Sequence, residues 1–333
     1  MSAASGGSPV RVLVTDWEFD DLGVEERVLG EAGLEVVAAQ CRTPEEVITA
    51  ATACGARALL VQYAPITAEV IRGIEGLGVV ARYGVGVDNV DLEAATERGV
   101  WVCNVADYGD EEVATHASAL ALAAARGVHR ADRDIRSGTW DYKRSRPVHR
   151  LSERSLGVLG LGRIGRRIVG LLGPYFGQVL GADPYLPDEH WPEGVIRRSV
   201  EELFAEADVL TLHMPLNSET HHIVDDARLA LMREGSIIVN TSRGGLVDAA
   251  ALRRALDSGR IAAAGLDVLE QEPPGADHPL IGHPQMLMSP HIAWFSAESE
   301  IILRSRAAEN VVAWASGDVP RYSVVDPRGD TDR

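Results

Sequence analysis

The sequence is poor in cysteine. Its three cysteines, Cys41, Cys54 and Cys103, are odd in number, and their spacing matches no metal or redox motif. We therefore expect three buried thiols in a reducing compartment, and no metal site.

Long apolar runs are also missing. No run approaches the roughly 20 residues that span a bilayer, and residues 1–8 lack the basic and apolar regions of a signal peptide. The interpretation is a short disordered lead, no membrane partner and, by default, a cytoplasmic location.

Positive charge is scarce, since 32 Lys and Arg residues face 49 Asp and Glu residues, a net charge of −17. A chain this acidic repels nucleic acid and anionic lipid, which argues against both as partners. A local basic patch for a small anionic substrate remains compatible with this balance.

What the sequence does contain is a regular alternation of apolar runs and helix-like segments. Such runs are typical of strands buried on both faces of a parallel sheet, and the alternation predicts two doubly wound α/β domains. The predicted strands are 10–15, 34–39, 58–62, 79–82 and 100–105, then 156–159, 179–182, 209–213, 237–240, 262–267 and 285–288.

Predicted helices include 44–53, 92–98 and a final amphipathic helix at 297–316. The apolar helix predicted at 110–126 indicates burial between domains or subunits, and with it a homodimer. Residues 134–150 are polar and predict a connecting loop with one buried tryptophan, Trp140, and the tail after Asp326 is expected to fray.

A glycine motif follows the first strand of the second domain. Gly160, Gly162 and Gly165 fit G-x-G-x-x-G between an apolar strand and a helix, and Asp183 ends the next strand. This context predicts a dinucleotide site, with the pyrophosphate at the helix N-terminus and the carboxylate on the adenosine ribose. The charge of Asp183 would repel a 2′-phosphate, which favours NAD over NADP.

Three polar clusters follow later strands, at 240–245, 267–273 and 289–294. They supply Arg243, Glu272 and His291, the groups needed to hold a carboxylate, orient an imidazole and transfer a proton to a reduced ketone. Taken singly, Arg243 could cap a strand, Glu272 could be a solvated loop acid and His291 could be structural. Their occurrence together after a dinucleotide motif favours the catalytic interpretation.

With these motifs in view, the chain resembles the D-isomer-specific 2-hydroxyacid dehydrogenase family over about residues 10–325. The specific segments are GLGRIG at 160–165, NTSRGGLVD at 240–248, LDVLEQEPP at 266–274 and SPHIAW at 289–294. Within the family it is most similar to the C-terminal-binding protein branch, on the segments DPYLPD at 183–188 and THHIVDD at 220–226 and on Trp294.

The resemblance implies a Rossmann NAD domain, 108–299, inserted into a flavodoxin-like substrate domain made of 1–107 and 300–333. It places the family's catalytic residues on Arg243, Glu272 and His291. It implies substrate contacts at Arg82, Val85, Gly86 and Trp294, and further cofactor contacts at Arg163, Ile164, Asp183, Met214, Pro215, Asn217, Thr241, Ser242 and Asp267.

The implied function is NAD-dependent oxidation of a small D-2-hydroxy acid or reduction of a 2-keto acid. Ala64 stands where the similar branch often has histidine, which puts the substrate pocket in question. Glu272 argues against formate oxidation, and the chain ends before the regulatory domain that many phosphoglycerate dehydrogenases carry. The alternative is an NAD(H)-responsive, corepressor-like binding protein with little turnover.

Overall fold

The computed structural model describes residues 9–329, so the predicted disordered lead and the last four residues of the tail lie outside the described part. The chain divides into two compact units, Met1–Tyr108 with Ser296–Arg333, and Gly109–Phe295. The domain bounds expected from the resemblance, 1–107 with 300–333 and 108–299, stay a prediction.

The first unit, to which residues 9–108 and 296–329 of the described chain belong, is built on a six-stranded sheet with the order β13-β5-β4-β3-β1-β2. Its strands are β1 (Arg11–Val14), β2 (Glu35–Ala38), β3 (Ala58–Val61), β4 (Val79–Arg82), β5 (Trp101–Cys103) and β13 (Ser323–Val325). Its helices are α1 (Gly23–Glu31), α2 (Pro44–Cys54), α3 (Ala68–Gly73), α4 (Leu92–Arg98) and α11 (Ala297–Ala315).

Local signals explain where these helices begin and end. The Thr43 side chain accepts a hydrogen bond from the amide of Glu46, and the Glu46 side chain accepts one from the Thr43 amide, so that α2 begins in a capping box. Gly55 ends the same helix in the left-handed conformation that glycine tolerates best. Every residue of β3 is buried, as expected for an inner strand covered on both faces.

The second unit carries a seven-stranded parallel sheet with the order β12-β11-β10-β9-β6-β7-β8. Its strands are β6 (Ser155–Leu159), β7 (Gln178–Ala182), β8 (Val195–Arg197), β9 (Val209–Leu212), β10 (Ser236–Asn240), β11 (Ile261–Leu266) and β12 (Met286–Met288). Its helices are α5 (Asp110–Ala125), α6 (Val128–Arg136), α7 (Arg163–Leu172), α8 (Val200–Glu206), α9 (Asp226–Leu231) and α10 (Ala249–Asp257). The strand order changes direction between β6 and β9, and such a switch point opens a crevice at the carboxyl ends of the strands.

The expectation of two parallel α/β sheets is confirmed, with corrections in detail. Residues 134–136 belong to α6, because the polar residues of this amphipathic helix face water, and the predicted loop begins only after them. Trp140 is 89% exposed, so its predicted burial is wrong for the single chain, and Cys54 is only half-buried. The short strands β8 and β13 were not predicted, and β13 runs antiparallel to β5.

None of the helices in the described chain has the length and apolar character that crossing a membrane requires.

Candidate active site

The glycine motif sits at the switch point of the second sheet. Gly160 has φ +92°, and a Cβ added there would lie 2.3 Å from the carbonyl oxygen of His213, just past the end of β9. A Cβ at Gly165 would lie 2.0 Å from the Gly160 carbonyl oxygen, whereas one at Gly162 would meet nothing within 4 Å. Two glycines therefore close the turn and pack α7 onto it, and the third leaves the backbone at the helix N-terminus open.

Asp183 follows β7 beside this turn. Its carboxylate accepts hydrogen bonds from the amides of Leu161 (2.9 Å) and Tyr185 (3.1 Å), which hold it half-buried next to the glycine loop. A carboxylate so placed keeps lone pairs for ribose hydroxyls. Amides at a helix start and an acid at the end of the next strand fit the two ends of an adenosine diphosphate group.

The other predicted cofactor residues have unequal surroundings. Arg163 is exposed and pairs with Asp110 at 3.0 Å, and Ile164 is half-buried. The hydroxyl oxygen of Thr241 is buried and has no hydrogen-bond partner within residues 9–329. An orphaned buried hydroxyl is costly, and it fits a polar group of a ligand.

Two predicted cofactor residues, Ser242 and Asn217, are partly engaged with their own chain. The Ser242 hydroxyl donates to the Leu212 carbonyl at 2.8 Å. The Asn217 side-chain oxygen accepts from the amides of Glu219 and Thr220, which closes a turn after the half-buried Met214 and the exposed Pro215.

Arg243 lies on the loop after β10. The Asn240 side chain braces this loop by accepting from the Ser242 amide (3.0 Å) and donating to the Arg243 carbonyl (2.8 Å). A Cβ at Gly244 would lie 1.8 Å from the Leu269 carbonyl carbon, so only glycine lets the Arg243 loop pack against the loop that carries Glu272.

Glu272 and His291 form a direct pair. Glu272 Oε2 lies 2.6 Å from His291 Nδ1, and Oε1 accepts from the Leu269 amide at 2.7 Å. Burial disfavours the Glu272 anion, but the His291 and Leu269 contacts and the charge of Arg243 outweigh it and hold the Glu272 pKa below its ordinary value. Because an ionised carboxylate only accepts, Nδ1 carries the hydrogen, and Nε2 is the nitrogen left for proton transfer.

Asp267 fixes the loop that carries His291. Its side chain is 1% exposed and accepts from the amides of Ile292 (3.0 Å) and Ala293 (2.8 Å) and from the Ser289 hydroxyl (2.5 Å). The Asp267 carbonyl accepts from the amide of His291, which has φ +56°. These bonds hold the backbone of His291 in the left-handed conformation, which residues other than glycine rarely adopt.

The predicted cofactor contact at Asp267 is therefore a carboxylate whose observed hydrogen bonds are all made within the protein. The sequence analysis also missed His116 on α5. Its Nε2 lies 2.8 Å from the Ser289 hydroxyl, which accepts there because it donates to Asp267. A lone histidine in an alanine-rich helix was the signal that could have drawn attention to it.

His213 is a second histidine that the sequence analysis passed over. Burial lowers its pKa to about 3, and its Nε2 bonds with the Thr211 hydroxyl at 2.8 Å. The carbonyl oxygen of His213 lies close to Gly160, so this neutral histidine packs against the glycine turn.

Trp294 closes the same segment, with its ring 5.6 Å from that of Phe295 in an edge-to-face contact. A Cβ at Gly109 would lie 3.3 Å from the Trp294 carbonyl oxygen, so a small residue at the start of α5 leaves room for it.

In the first unit, the loop Arg82–Gly86 begins at the last residue of β4. Arg82 Nε donates to the Gln62 carbonyl at 3.3 Å, and a Cβ at Gly84, which has φ +131°, would lie 2.0 Å from Arg82 Nη1. The exposed Val85 and the half-buried Gly86 have amides that donate to no other residue in the described chain. Two adjacent backbone amides whose N–H groups have no acceptor in the described chain can bind an anion at a strand end.

Comparison with known proteins adds to this geometry. A family model described as the NAD binding domain of the D-isomer specific 2-hydroxyacid dehydrogenases matches residues 118–293. A D-3-phosphoglycerate dehydrogenase from Methanocaldococcus jannaschii is 40% identical over 318 residues, which cover 91% of this chain and 59% of that protein. A glyoxylate reductase from Korarchaeum cryptofilum is 40% identical over 261 residues, 77% of this chain and 78% of that one.

Among solved structures, a D-lactate dehydrogenase from Aquifex aeolicus, complexed with NAD and lactic acid, is similar with a TM-score of 0.83. It shares 27% identity, and the match covers 95% of this chain and 99% of that one. The match spans only 59% of the Methanocaldococcus enzyme. The family model, by contrast, matches more than half of the present chain. The chain therefore belongs to the D-isomer specific 2-hydroxyacid dehydrogenase family, and its second unit carries that family's NAD-binding domain.

Proposed function

We propose that this chain is an NAD-dependent oxidoreductase that interconverts a small 2-keto acid and the corresponding D-2-hydroxy acid. The observation that carries the proposal is the 2.6 Å pair of Glu272 and His291, which lie 19 residues apart on two loops. The Glu272 loop packs against the Arg243 loop at Gly244. Bound NADH supplies the hydride that reduces C2 of the keto acid.

His291 is the proposed acid and base. In reduction, the imidazolium Nε2–H gives its proton to the carbonyl oxygen as that oxygen gains the electron pair of the C=O bond, and the imidazole becomes neutral. In oxidation, neutral Nε2 takes the hydroxyl proton. Glu272 fixes the ring orientation and stabilises the imidazolium through Nδ1.

Arg243 is the proposed cation for the substrate, because a guanidinium binds carboxylate oxygens in two places and polarises the neighbouring ketone. In the first unit, the amides of Val85 and Gly86 are proposed to donate to a substrate carboxylate, and Arg82 is proposed as a further substrate contact. Trp294 is proposed as an apolar wall for the substrate side chain.

The proposed cofactor contacts of the glycine turn and the following strand are Gly160, Gly162, Arg163, Ile164, Gly165 and Asp183. The other proposed cofactor contacts are Met214, Pro215, Asn217, Thr241, Ser242 and Asp267. Asp183 is expected to make NAD the preferred form, since a carboxylate repels a 2′-phosphate.

The substrate class rests on the family, whose named relatives include a glyoxylate reductase and phosphoglycerate and lactate dehydrogenases. The likeness to the C-terminal-binding protein branch stays a prediction, as does the corepressor-like role that accompanies it. A cytoplasmic location likewise stays a prediction.

A homodimer is also proposed. Five large apolar side chains are exposed in α6 and in the loop that follows it: Val128, Ile135, Trp140, Tyr142 and Val148, with Trp140 at 89%. Large apolar side chains grouped in this way mark an association surface. Analytical ultracentrifugation should give twice the chain mass, and Trp140→Ser should shift the protein toward the monomer.

The deciding experiment is NADH oxidation, followed by absorbance, with glyoxylate, pyruvate and 3-phosphohydroxypyruvate. We expect turnover of at least one, and His291→Asn should lower kcat by about 10²–10⁴-fold with NADH affinity unchanged. His149→Asn, which alters an exposed histidine of the same unit, is the control. Tight NADH binding without turnover of any keto acid would instead support the binding-protein alternative.

A further inference from the structure

A second cluster of ionisable side chains lies in the nucleotide unit, apart from the Glu272–His291 pair. His221 Nε2 lies 3.2 Å from Glu270 Oε1, and His222 Nε2 lies 3.2 Å from Glu270 Oε2. The two imidazole rings stack with centroids 3.9 Å apart, and one ligand atom from each of the three residues lies within 4.8 Å of the others. Two imidazole nitrogens and a carboxylate thus converge on one small volume.

The backbone holds this cluster in place. His222 has φ +50°, and its amide donates to the Gly245 carbonyl at 2.8 Å, while the amide of Val224 donates to Leu246 at 2.9 Å. A Cβ at Gly245 would lie 3.6 Å from a ring carbon of His221, and one at Gly244 would strike the amide nitrogen of Glu270 at 2.2 Å. The backbones of His222 and Glu270 therefore both pack on the 243–247 segment, which brings the loops of the three side chains together.

The chemistry of the set is selective. Two imidazole nitrogens and one carboxylate oxygen are the ligands of open zinc sites, which complete a tetrahedron with water. Hard cations such as Mg²⁺ and Ca²⁺ prefer oxygen alone. The side chains of His221, His222 and Glu270 are 50%, 35% and 52% exposed, so that an ion can enter and keep a water ligand.

We propose that His221, His222 and Glu270 form a binding site for one borderline divalent transition-metal ion, of which Zn²⁺ is the representative. The site does not depend on the proposed function and would stand even if the chain reduced no keto acid. Sequence spacing gave no sign of it, because 48 residues separate Glu270 from His222.

A bound ion would join two loops that carry other residues of interest. His221 follows the turn that Asn217 closes. Glu270 lies between Leu269 and Glu272, in the loop where the Glu272 carboxylate accepts a hydrogen bond from the Leu269 amide. We expect an ion at the cluster to restrain the 267–272 loop and to raise the thermal stability of the nucleotide unit, because it binds only the folded arrangement.

The test uses the untagged full chain, freed of metal by a chelator. Co²⁺ is titrated first, because its visible spectrum reports tetrahedral nitrogen and oxygen ligation, and Zn²⁺ is then titrated by calorimetry. We expect one ion per chain. His221→Asn and Glu270→Gln should each weaken binding at least about tenfold, since even outer-shell partners of a metal matter that much, and His149→Asn should bind as the parent does.

Thermal melts without metal show whether each variant folds, and melts with Zn²⁺ give a second measurement. The melting temperature should rise with Zn²⁺ in the parent and in His149→Asn, and stay constant in Glu270→Gln. Zn²⁺ binding of equal strength in all four proteins, or no Co²⁺ spectrum in the parent, would overturn the proposal.

Discussion

The two units each bury a carboxylate completely, yet they satisfy it in different ways. In the nucleotide unit, Asp267 accepts two backbone amides and a hydroxyl, all from residues 289–293. In the first unit, Glu25 accepts a two-pronged contact from Arg304, at 3.0 and 2.8 Å. The first arrangement shapes one loop, whereas the second joins α1 to α11, almost 280 residues along the chain.

The two buried carboxylates have different structural roles. Amides cannot leave the Asp267 carboxylate without unfolding the loop, so this acid sets the backbone that presents His291. Arg304 is itself a charge that needs Glu25, and it lies over the Phe19 ring, which meets Tyr83 edge-on at 5.2 Å. The ion pair therefore supports the packing beneath the Arg82–Gly86 loop but shapes no backbone there.

The largest effect is expected from Arg304→Ala. It leaves the Glu25 carboxylate buried without a partner, which should lower the free energy of unfolding by about 3–5 kcal/mol. Urea denaturation measures this loss. The double variant Glu25→Leu with Arg304→Met removes both charges and should recover most of the stability, and a double variant as unstable as Arg304→Ala would contradict the account.

Asp267→Asn should affect catalysis more than stability. The NH₂ group of asparagine only donates, so one of the two backbone amides loses its acceptor and the His291 loop shifts. Displacement of a catalytic group by about 1 Å can cost on the order of 10²-fold in kcat. Steady-state kinetics separate the two roles of this residue. A lower kcat with unchanged KM for NADH indicates positioning, whereas a raised KM for NADH alone would make Asp267 a cofactor contact.

Gly244→Ala asks whether the Arg243 loop must touch the Glu272 loop. The added methyl group would overlap the Leu269 backbone, which cannot rotate away, and should cost about 1–3 kcal/mol of stability together with turnover. Gly170→Ala is the matched control, since its Cβ meets nothing within 4 Å in α7, and it should stabilise the chain by about 0.5–1 kcal/mol. Equal behaviour of the two variants would show that the loop contact is dispensable.

The smallest effect concerns Asp208, a third buried carboxylate that combines both kinds of partner, the amide of Ser155 and the guanidinium of Arg154. Burial disfavours its anion, but these bonds outweigh that effect and hold the pKa of Asp208 below its ordinary value. The ionised group therefore stabilises the fold above the unfolded pKa of about 3.9, and this contribution is lost as the pH falls through the folded pKa.

Asp208→Asn should accordingly melt at a lower temperature than the parent at neutral pH, with the gap narrowing below about pH 4. Calorimetric melts across that range measure it. A gap that stayed constant with pH would mean that the amide substitution acts through packing.

Much of the fold followed from local pattern. The apolar runs located every strand except β8 and β13 to within a residue or two, because strands buried on both faces are continuous in sequence. Helix α6 and Trp140 were misjudged, because a polar amphipathic helix resembles a loop in composition and because burial of an isolated tryptophan depends on what lies next to it.

The candidate site was predicted to a similar degree. Arg243, Glu272 and His291 were chosen by residue type, and the structure brings Glu272 and His291 together. Ser289 lay in a predicted polar cluster, but its contact with His116 was not predicted, since that contact spans 173 residues and leaves no local trace.

The order of most strands and helices, the glycine turn and the kinds of side chain at the strand ends can all be predicted from local sequence. These features depend on neighbours along the chain, where backbone geometry and side-chain periodicity act. Three features became visible in the folded chain alone: Asp267 binds backbone amides, His291 takes a left-handed conformation, and two histidines contact Glu270. Contacts of this kind form between distant segments once the sheet aligns its strand ends, and no short stretch of residues encodes them.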